Sequence, residues 1–395
     1  MSASRSIRRA RVRALAAMLV PMVVLAAVPR AFAEVTVILR GNAEPVTGIG
    51  AVAALRGLEV QQGGVQQGGA RASVVVPWDM VRSVEGATIA GLEGELAVGQ
   101  DLWRARIRVE RGDEALAEPL LLKHWDRYRL QDGPTTAVVA EGLLRCALAR
   151  GDLRASVEPW FVCLRIGSNG EPSRYPELAG VLDDTTGLLP EASPFLPSSR
   201  RNELAEALAA IGRSAGSSAA ASAAGVAGDC AARLARMLAA TEAGASIVAA
   251  SDPGRDAAPS VRALGLIETI LTAPDRRSAD RAVAEFERIL PDPPGYLAAW
   301  KLAAAGAQAA RSARALEGEP RARALEGEPR ARALESAALA LLAVPASGLD
   351  KSGLVDAYAL EEAVALLKEA GDQVSAAQVA TILEERLRDA AGGRR

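Results

Sequence analysis

The chain has 395 residues, of which 50% are hydrophobic, 3% aromatic and 24% charged, and alanine supplies much of the apolar share. This length allows two or more domains, and the alanine-rich composition indicates a mainly α-helical protein. The formal net charge is −2, but residues 1–33 carry six arginines and no acidic residue, which leaves 40 basic and 48 acidic residues in the remainder. This acidic balance argues against nucleic acid or an anionic membrane surface as a partner.

Residues 1–33 have the three parts of a secretory signal. Five arginines between Arg5 and Arg13 precede an apolar stretch of 15 residues at 14–28, and a small-x-small sequence then ends at Ala33. This pattern predicts a signal peptide that is cleaved after Ala33, with an uncleaved anchor as the alternative. A membrane-spanning helix needs about 20 apolar residues. We therefore expect an exported protein of the periplasm or cell envelope, with no stable membrane span after cleavage.

Residues 34–97 are predicted to form a small β module. β-branched runs occur at Val35–Leu39 and 72–76, and 58–60 is a weaker third run. Glycine and proline separate these runs. Three to five short strands in a segment of this size are typical of a small SH3-like or Sm-like barrel.

Two sequence patterns in this module are interpreted as loops. Residues 48–53 match the dinucleotide-binding pattern G-x-G-x-x-A, but Pro45 separates them from the preceding strand and no long helix follows, so nucleotide binding is not expected. The pentapeptide V-Q-Q-G-G occurs twice in succession at 60–69. Such a duplication is best tolerated in a surface loop.

Residues 98–167 are predicted to form helical hairpins. Arg-Gly-Asp occurs at 111–113 and again at 150–152, so that Gly112 and Gly151 are 39 residues apart. This spacing lies in the range of helix-hairpin repeats. Glycine supplies the left-handed backbone that ends one helix, and aspartate caps the next. Both copies are therefore read as turns, not as adhesion motifs.

Residues 168–200 form a proline-rich connection, called here the strap. It holds five prolines beside large apolar side chains that include Tyr175, Leu178, Leu188, Leu189, Phe195 and Leu196. So long a connection with that many apolar groups is expected to pack across the helices. It is interpreted first as a structural element, with the wall of a ligand groove as the alternative.

Residues 201–395 are predicted to be a helical repeat region. Ala282, Phe286, Pro294 and Trp300 stand at the spacings of a tetratricopeptide repeat boundary, so this stretch resembles that family. The pattern departs from that of the family at Ile289, Ala303 and Ala307. The resemblance implies hairpins stacked into a curved solenoid that binds proteins or peptides on its concave face.

Partial repeat matches follow the sharp one. The first is Ala333, Ala337, Ala340 and Pro345, and the second begins at Gly371. The β-then-helix layout also resembles uncharacterised exported proteins of planctomycete-type bacteria, a similarity that implies no activity.

Two low-complexity stretches interrupt the helical region. A nonapeptide at 313–321 is copied without change at 322–330, and each copy contains a glycine and a proline. We expect this insertion, 313–330, to form an enlarged hairpin turn or a frayed segment. The alanine- and serine-rich run between Gly216 and Gly228 is expected to weaken or interrupt a helix.

Residues for most enzyme and metal chemistry are missing from the sequence. His124 is the single histidine, and no G-x-S-x-G sequence is present to hold a nucleophilic serine. No phosphate-binding loop occurs, and no His or Cys residues stand at zinc-ligand spacing. We therefore expect no catalytic residue, no cofactor and no metal. A pair of carboxylates remains possible chemically, because 48 acidic residues always offer pairs.

The three cysteines are expected to be small buried hydrophobic residues. Cys146 and Cys163 are predicted to lie on neighbouring helices with an axial offset of about 9 Å, at 1.5 Å per residue. A disulfide needs Cα atoms about 4.4–6.8 Å apart. These two are therefore predicted not to be bridged.

The sequence favours a non-enzymatic interaction or scaffold protein of the periplasm or cell envelope with a protein or peptide partner. This hypothesis depends on the export signal, the hairpin repeats and the lack of a catalytic motif. The alternative is an envelope hydrolase or carbohydrate-active protein that uses a carboxylate pair in a groove under the strap.

Overall fold

The computed structural model describes residues 34–65, 71–168, 170–215, 223–241, 254, 256–316 and 328–392. This part of the chain is 65% helical, with a small sheet region at its N-terminal end. The prediction of a mainly α-helical protein preceded by a β module is therefore confirmed.

The β module contains six strands in two antiparallel sheets of three, with the orders β2-β1-β6 and β3-β4-β5. The strands are β1 Val35–Leu39, β2 Val46–Gly48, β3 Gly50–Ala54, β4 Gly57–Val65, β5 Arg71–Val76 and β6 Val81–Glu85. These sheets are not closed, so the expectation of an SH3-like or Sm-like barrel is not met. Six described strands also exceed the predicted three to five.

Gly48 ends β2 and residues 50–53 lie in β3, with Ile49 between the two strands, so the interpretation of 48–53 as a loop is wrong. Ala51 on β3 pairs with Val60 on β4, and a tight turn joins the two strands between Ala54 and Gly57. Pairing with β4 holds β3 in an extended conformation. The glycines and alanines of this segment have little strand propensity, so their sequence does not indicate a strand. The first V-Q-Q-G-G copy also lies in β4, while most of the second copy lies outside the described residues.

The β module is joined to the helices through a short 3-10 turn at Trp78–Met80. The backbone N–H of Trp78 donates to Oγ1 of Thr135, and the fully buried Asp79 forms an ion pair with Arg106 at 3.0 Å. A Cβ on Gly99 would come within 2.3 Å of the Trp78 carbonyl oxygen. The module and the first helices are therefore in close contact.

Twelve helices follow in the described part of the chain. They are α1 Leu92–Glu110, α2 Glu114–Tyr128, α3 Pro134–Ala149, α4 Leu153–Ser168, α5 Ser198–Ala215, α6 Ala223–Ala240, α7 Pro259–Leu271, α8 Arg276–Ile289, α9 Gly295–Ala315, α10 Glu328–Ser347, α11 Leu354–Ala370 and α12 Gln373–Gly392. Each helix packs against the next along the chain, except that α9 packs more extensively on α7 than on α8. One apolar core runs from α3 to α12 and includes the strap.

Several predicted boundaries are displaced in the structure. The division between 97 and 98 falls inside α1, which begins at Leu92. Helices α9 and α10 both extend into the nonapeptide insertion, whose residues 317–327 lie outside the described part. Pro345 lies inside α10, so the partial repeat match that ends at Pro345 does not mark a helix boundary.

The alanine- and serine-rich run between 216 and 228 lies partly outside the described residues and partly in α6. Helix α5 ends at Ala215 and α6 begins at Ala223. Residues 216–222 lie outside the described part, and so does the predicted signal peptide, 1–33.

Candidate functional site

The strap runs from the end of α4 to the start of α5 without forming a strand or helix between 170 and 197. Its large apolar side chains point into the core, as the sequence predicts. Those that are fully buried are Tyr175, Leu188, Leu189, Phe195 and Leu196. Burial of so many apolar groups fixes the path of a segment that has no secondary structure of its own.

The strap approaches α3 closely at Tyr175. The Tyr175 hydroxyl donates to the backbone carbonyl of Val138 at 3.0 Å. A Cβ at Gly142 would come within 2.4 Å of that hydroxyl oxygen, so the strap needs the glycine at this position of α3. Burial raises the pKa of the Tyr175 phenol well above its usual range.

An arginine and a glutamate on α3 also hold the strap. Arg145 donates to the Ala179 carbonyl at 3.0 Å and pairs with the Glu141 carboxylate at 2.9 Å. The same carboxylate accepts hydrogen bonds from the Ser173 hydroxyl and the Arg174 backbone N–H. Because both α3 side chains are nearly buried, these bonds are charge-assisted and little screened by water.

The middle of the strap is bonded to α4 and α9. The Trp160 indole N–H donates to the Gly187 carbonyl at 3.1 Å. The hydroxyl groups of Thr186 and Tyr296 are 2.8 Å apart and share a hydrogen bond across 110 residues of chain. The strap therefore links helices that are far apart in sequence.

A cavity of about 400 Å³ lies beneath the strap, and it is the candidate site. Its walls come from α3, the end of α4, the strap, Val226 of α6 and the first residues of α7. Apolar side chains line much of it. They are Ala137, Cys163, Leu164, Ile166, Pro172, Val181, Leu182, Val226, Ala258 and Pro259. This size is typical of small-ligand and peptide side-chain sites.

Four carboxylates line the same cavity: Glu141, Glu171, Asp183 and Asp184. Glu141 is engaged by Arg145, and Glu171 pairs with Arg174 at 2.6 Å. Asp183 accepts hydrogen bonds from the backbone and hydroxyl of Thr186 through Oδ1. Glu141, Glu171 and Asp183 therefore hold the strap in its conformation.

Cys163 lines the cavity as well. It is half-buried, whereas Cys146 and Cys230 are buried, and all three thiols are free. Burial raises the pKa of all three thiols, that of Cys146 to about 12 and that of Cys230 to about 11. Such thiols are poor nucleophiles at neutral pH.

His124 is held on α2 by a carboxylate of α1. Its Nε2 lies 3.2 Å from Oδ2 of Asp101, and the Lys123 ammonium lies 2.7 Å from the same oxygen. No described serine, threonine or cysteine is bonded to this imidazole. The arrangement ties α1 to α2 and lacks the nucleophile of a catalytic triad.

Three glycines singled out in the sequence lie at equivalent helix ends. Gly112, Gly151 and Gly371 all have a positive φ, between 67° and 91°. The aspartate after each one donates its backbone N–H to the carbonyl five residues earlier, which is the Schellman bond. Asp152 and Asp372 also cap the following helix through Oδ1, whereas the Asp113 side chain makes no capping bond to α2, so the predicted cap is wrong there.

The residues that resemble a tetratricopeptide boundary lie on α8 and α9. Ala282 and Phe286 are buried on α8, Pro294 directly precedes α9, and Trp300 is buried on α9. The Lys301 ammonium lies 5.7 Å from the Phe286 ring centre. These residues form the contact between the two helices, away from the strap cavity.

Sequence reasoning did not single out Glu141 or Arg145. A sequence signal existed, because these are the two charged residues of α3 and stand four residues apart, the spacing of a helical ion pair. Their contacts with Ser173 and Ala179 carried no such signal.

No group of three or more His, Cys, Asp or Glu residues in the described ranges is arranged to hold a metal ion. None of the helices in these ranges has the length and hydropathy needed to cross a membrane. Comparison of the chain with protein-family models, curated proteins and solved structures gives no match.

Proposed function

We propose that this chain is an exported, non-enzymatic interaction or scaffold protein of the periplasm or cell envelope. It binds a protein or peptide partner, and the cavity under the strap is the contact site. The observation that supports this function most is the cavity of about 400 Å³ with apolar walls, held open by hydrogen bonds from α3, α4 and α9. A preformed concave site of this kind binds with little loss of conformational entropy.

The helices are proposed to stack as a tetratricopeptide-like solenoid. Three features support this arrangement: equivalent turns at Gly112, Gly151 and Gly371, packing of successive helices, and the α8–α9 contact at Phe286 and Trp300. Short turns favour antiparallel neighbours. Small-angle X-ray scattering tests the shape, since a compact domain of this size has a radius of gyration of about 21 Å. A value at that limit would contradict the solenoid.

Site-specific crosslinking tests the binding function. A photoreactive amino acid at Leu182, in the cavity wall, is compared with one at Val52, an exposed residue of β3. In envelope extract we expect a reproducible adduct at Leu182 that is lost in a Val181→Trp variant, in which the indole fills the cavity. Equal adducts at both positions, or none at Leu182, would contradict the proposal.

Export is tested at the N-terminus of the mature protein. Mass spectrometry of the protein recovered from the envelope fraction is expected to show Glu34 as its first residue. A protein that retains residues 1–33 would support the uncleaved anchor.

A hydrolytic or carbohydrate-active function is the alternative, because four carboxylates line one cavity. Its weakness is that Glu141 and Glu171 are paired with arginines, while Asp183 holds the strap turn. Turnover of envelope polysaccharide that is abolished by Asp184→Asn, with folding unchanged, would favour this alternative over a binding function.

A further inference from the structure

The lining of the strap cavity has an uneven charge. Four of its lining residues are acidic, and within the part of the chain that the structure describes none of the lining residues is a lysine, arginine or histidine. Arg145 and Arg174 neutralise two of the carboxylates from behind the wall. Asp183 and Asp184 make no ion pair within the described ranges, so their negative charge is available to a ligand.

The two atoms of the Asp183 carboxylate differ. Oδ1 accepts all three hydrogen bonds that the strap offers, from the backbone of Thr185 and Thr186 and from the Thr186 hydroxyl, at 2.8–3.2 Å. None of these bonds uses Oδ2. The turn therefore fixes the orientation of the carboxylate and leaves one oxygen for a donor from outside.

The C-terminal end of α4 adds to the negative potential of the cavity. The last residues of α4, Ile166, Gly167 and Ser168, lie on the cavity, and the C-terminal end of a helix carries partial negative charge. The N-terminal end of α7 lies opposite, but its first residue is Pro259, which has no N–H to offer an anion. Full carboxylate charges outweigh the partial charge of that helix end.

A cation that enters this cavity also meets an apolar surface. Leu164, Ile166, Val181, Leu182 and Val226 supply hydrophobic walls beside the carboxylates. A hydrated inorganic cation gains nothing from such walls. A lysine or arginine side chain does, since its methylene stem packs on apolar surface while its charged end pairs with oxygen.

From this charge and shape complementarity, we propose that the strap cavity binds an arginine or lysine side chain of an extended peptide segment in the partner protein. This inference rests on the proposed binding function and specifies the chemistry of the partner. The methylene stem lies against Leu164 and Val181, and the cationic end pairs with Asp183 and Asp184.

Calorimetric titration of the purified protein with three alanine-based peptides tests the inference. The peptides carry at one position arginine, its neutral isostere citrulline, or glutamate. We expect the citrulline peptide to bind about tenfold more weakly than the arginine peptide, and the glutamate peptide not to bind. Agmatine, a free guanidine with a short alkyl chain, separates a small-molecule site from a peptide site. The peptide is expected to bind more tightly than agmatine.

Variants of the cavity wall test whether the peptide binds in the cavity. Asp184→Asn is expected to weaken the arginine peptide about tenfold and Asp184→Lys to abolish its binding, whereas both leave the citrulline peptide unchanged. Val181→Trp fills the cavity and is expected to prevent binding of every peptide. The matched controls are Asp126→Asn, whose carboxylate is 96% exposed on α2, and Val52→Trp on β3. Circular dichroism and urea unfolding establish that each variant folds.

The outcomes separate the two proposals. Equal affinity for all three peptides, sensitive to Val181→Trp, would overturn the cationic ligand and leave the binding function standing. If agmatine binds as tightly as the arginine peptide, the ligand of the cavity is a small cationic molecule and the proposed peptide ligand is wrong. Binding that is insensitive to both Asp184→Lys and Val181→Trp would overturn the cavity as the site. If none of the peptides binds while crosslinking at Leu182 still captures a partner, the inference alone fails.

Discussion

Arg145 on α3 donates a hydrogen bond of 3.0 Å to the carbonyl oxygen of Ala179, across 34 residues of chain. Its guanidinium also lies 5.3 Å from the ring centre of Tyr175. One side chain thus contacts the strap at two points while it neutralises Glu141 on its own helix. Glu141, its ion-pair partner, and Gly180, which follows Ala179, both line the cavity.

Replacing this arginine is expected to loosen the strap. Arg145→Met leaves the nearly buried Glu141 carboxylate without its cationic partner, so we expect the free energy of unfolding to fall by about 3 kcal/mol. Urea unfolding measures the change. The control is Arg288→Met, which removes an exposed pair with Glu285 and is expected to cost less than about 1 kcal/mol. Equal losses in the two variants would contradict the structural role of Arg145.

Asp79 of the β module and Arg106 of α1 form a buried ion pair. We expect replacement of the arginine to cost more stability than replacement of the aspartate. Arg106→Met leaves Asp79 buried without a cation, at a cost of about 3 kcal/mol. Asp79→Asn is expected to cost less than half as much. Burial already raises the pKa of Asp79 despite the opposing effect of Arg106, and Arg106 keeps its pair with Glu110. Thermal unfolding of both variants measures the two losses of stability. A larger loss for Asp79→Asn than for Arg106→Met would contradict the prediction.

Asp356 on α11 is expected to destabilise the protein at neutral pH. Burial, assisted by Asp350 and opposed by Arg386, raises its pKa to about 6, and its Oδ1 has no hydrogen-bond partner in the described structure. Because the folded pKa lies above the unfolded one, ionisation costs stability above about pH 6. That cost disappears as the pH falls through the folded pKa towards the unfolded value.

Asp356→Asn is therefore expected to raise the free energy of unfolding by about 1–2 kcal/mol at about pH 8, and to change it little near about pH 4. Urea unfolding across this pH range provides the measurement. Asp280→Asn, on the exposed face of α8, is the control and is expected to show no such trend. The same effect of Asp356→Asn at both pH values would exclude titration of this carboxyl as the cause.

The repeated glycine turns predict a conformational cost that is independent of packing. A Cβ at Gly112 or Gly371 would meet no atom within 4 Å, yet both residues have a left-handed φ. Substitution of either glycine by alanine is expected to cost about 1 kcal/mol. Gly228→Ala, in the interior of α6 where a Cβ also meets open space, is expected to stabilise by up to about 1 kcal/mol. Differential scanning calorimetry compares the three, and an equal sign for all would contradict this explanation.

The local turns were predictable from the sequence because their causes are local. Gly112, Gly151 and Gly371 each end a helix in left-handed backbone, which disfavours any residue with a Cβ, and the flanking apolar periodicity marks the helices on either side. The burial of Tyr175 and Leu188 in the strap was predictable for a similar reason. A long apolar connection has no favourable alternative in water.

The β module was predicted less well because strand pairing is not local. Residues 48–53 include two glycines and two alanines, which carry little strand propensity of their own. All but Ile49 lie in strands, because β1 and β4 lie beside them and pair with them through backbone hydrogen bonds. These pairings set the strand order within each of the two sheets. They therefore also decide that the described strands form two open sheets and not a closed barrel.

The sequence by itself determined the helical class, the early β segment and the turns, because composition and the backbone preferences of glycine, proline and aspartate act within a few residues. Only the tertiary structure decided that Glu141 meets Ser173, that Thr186 meets Tyr296, and that a cavity lies between them and α7. Each of these contacts joins residues at least 32 positions apart. The energy that selects them comes from burial and hydrogen bonding of the whole assembly, which no local pattern records.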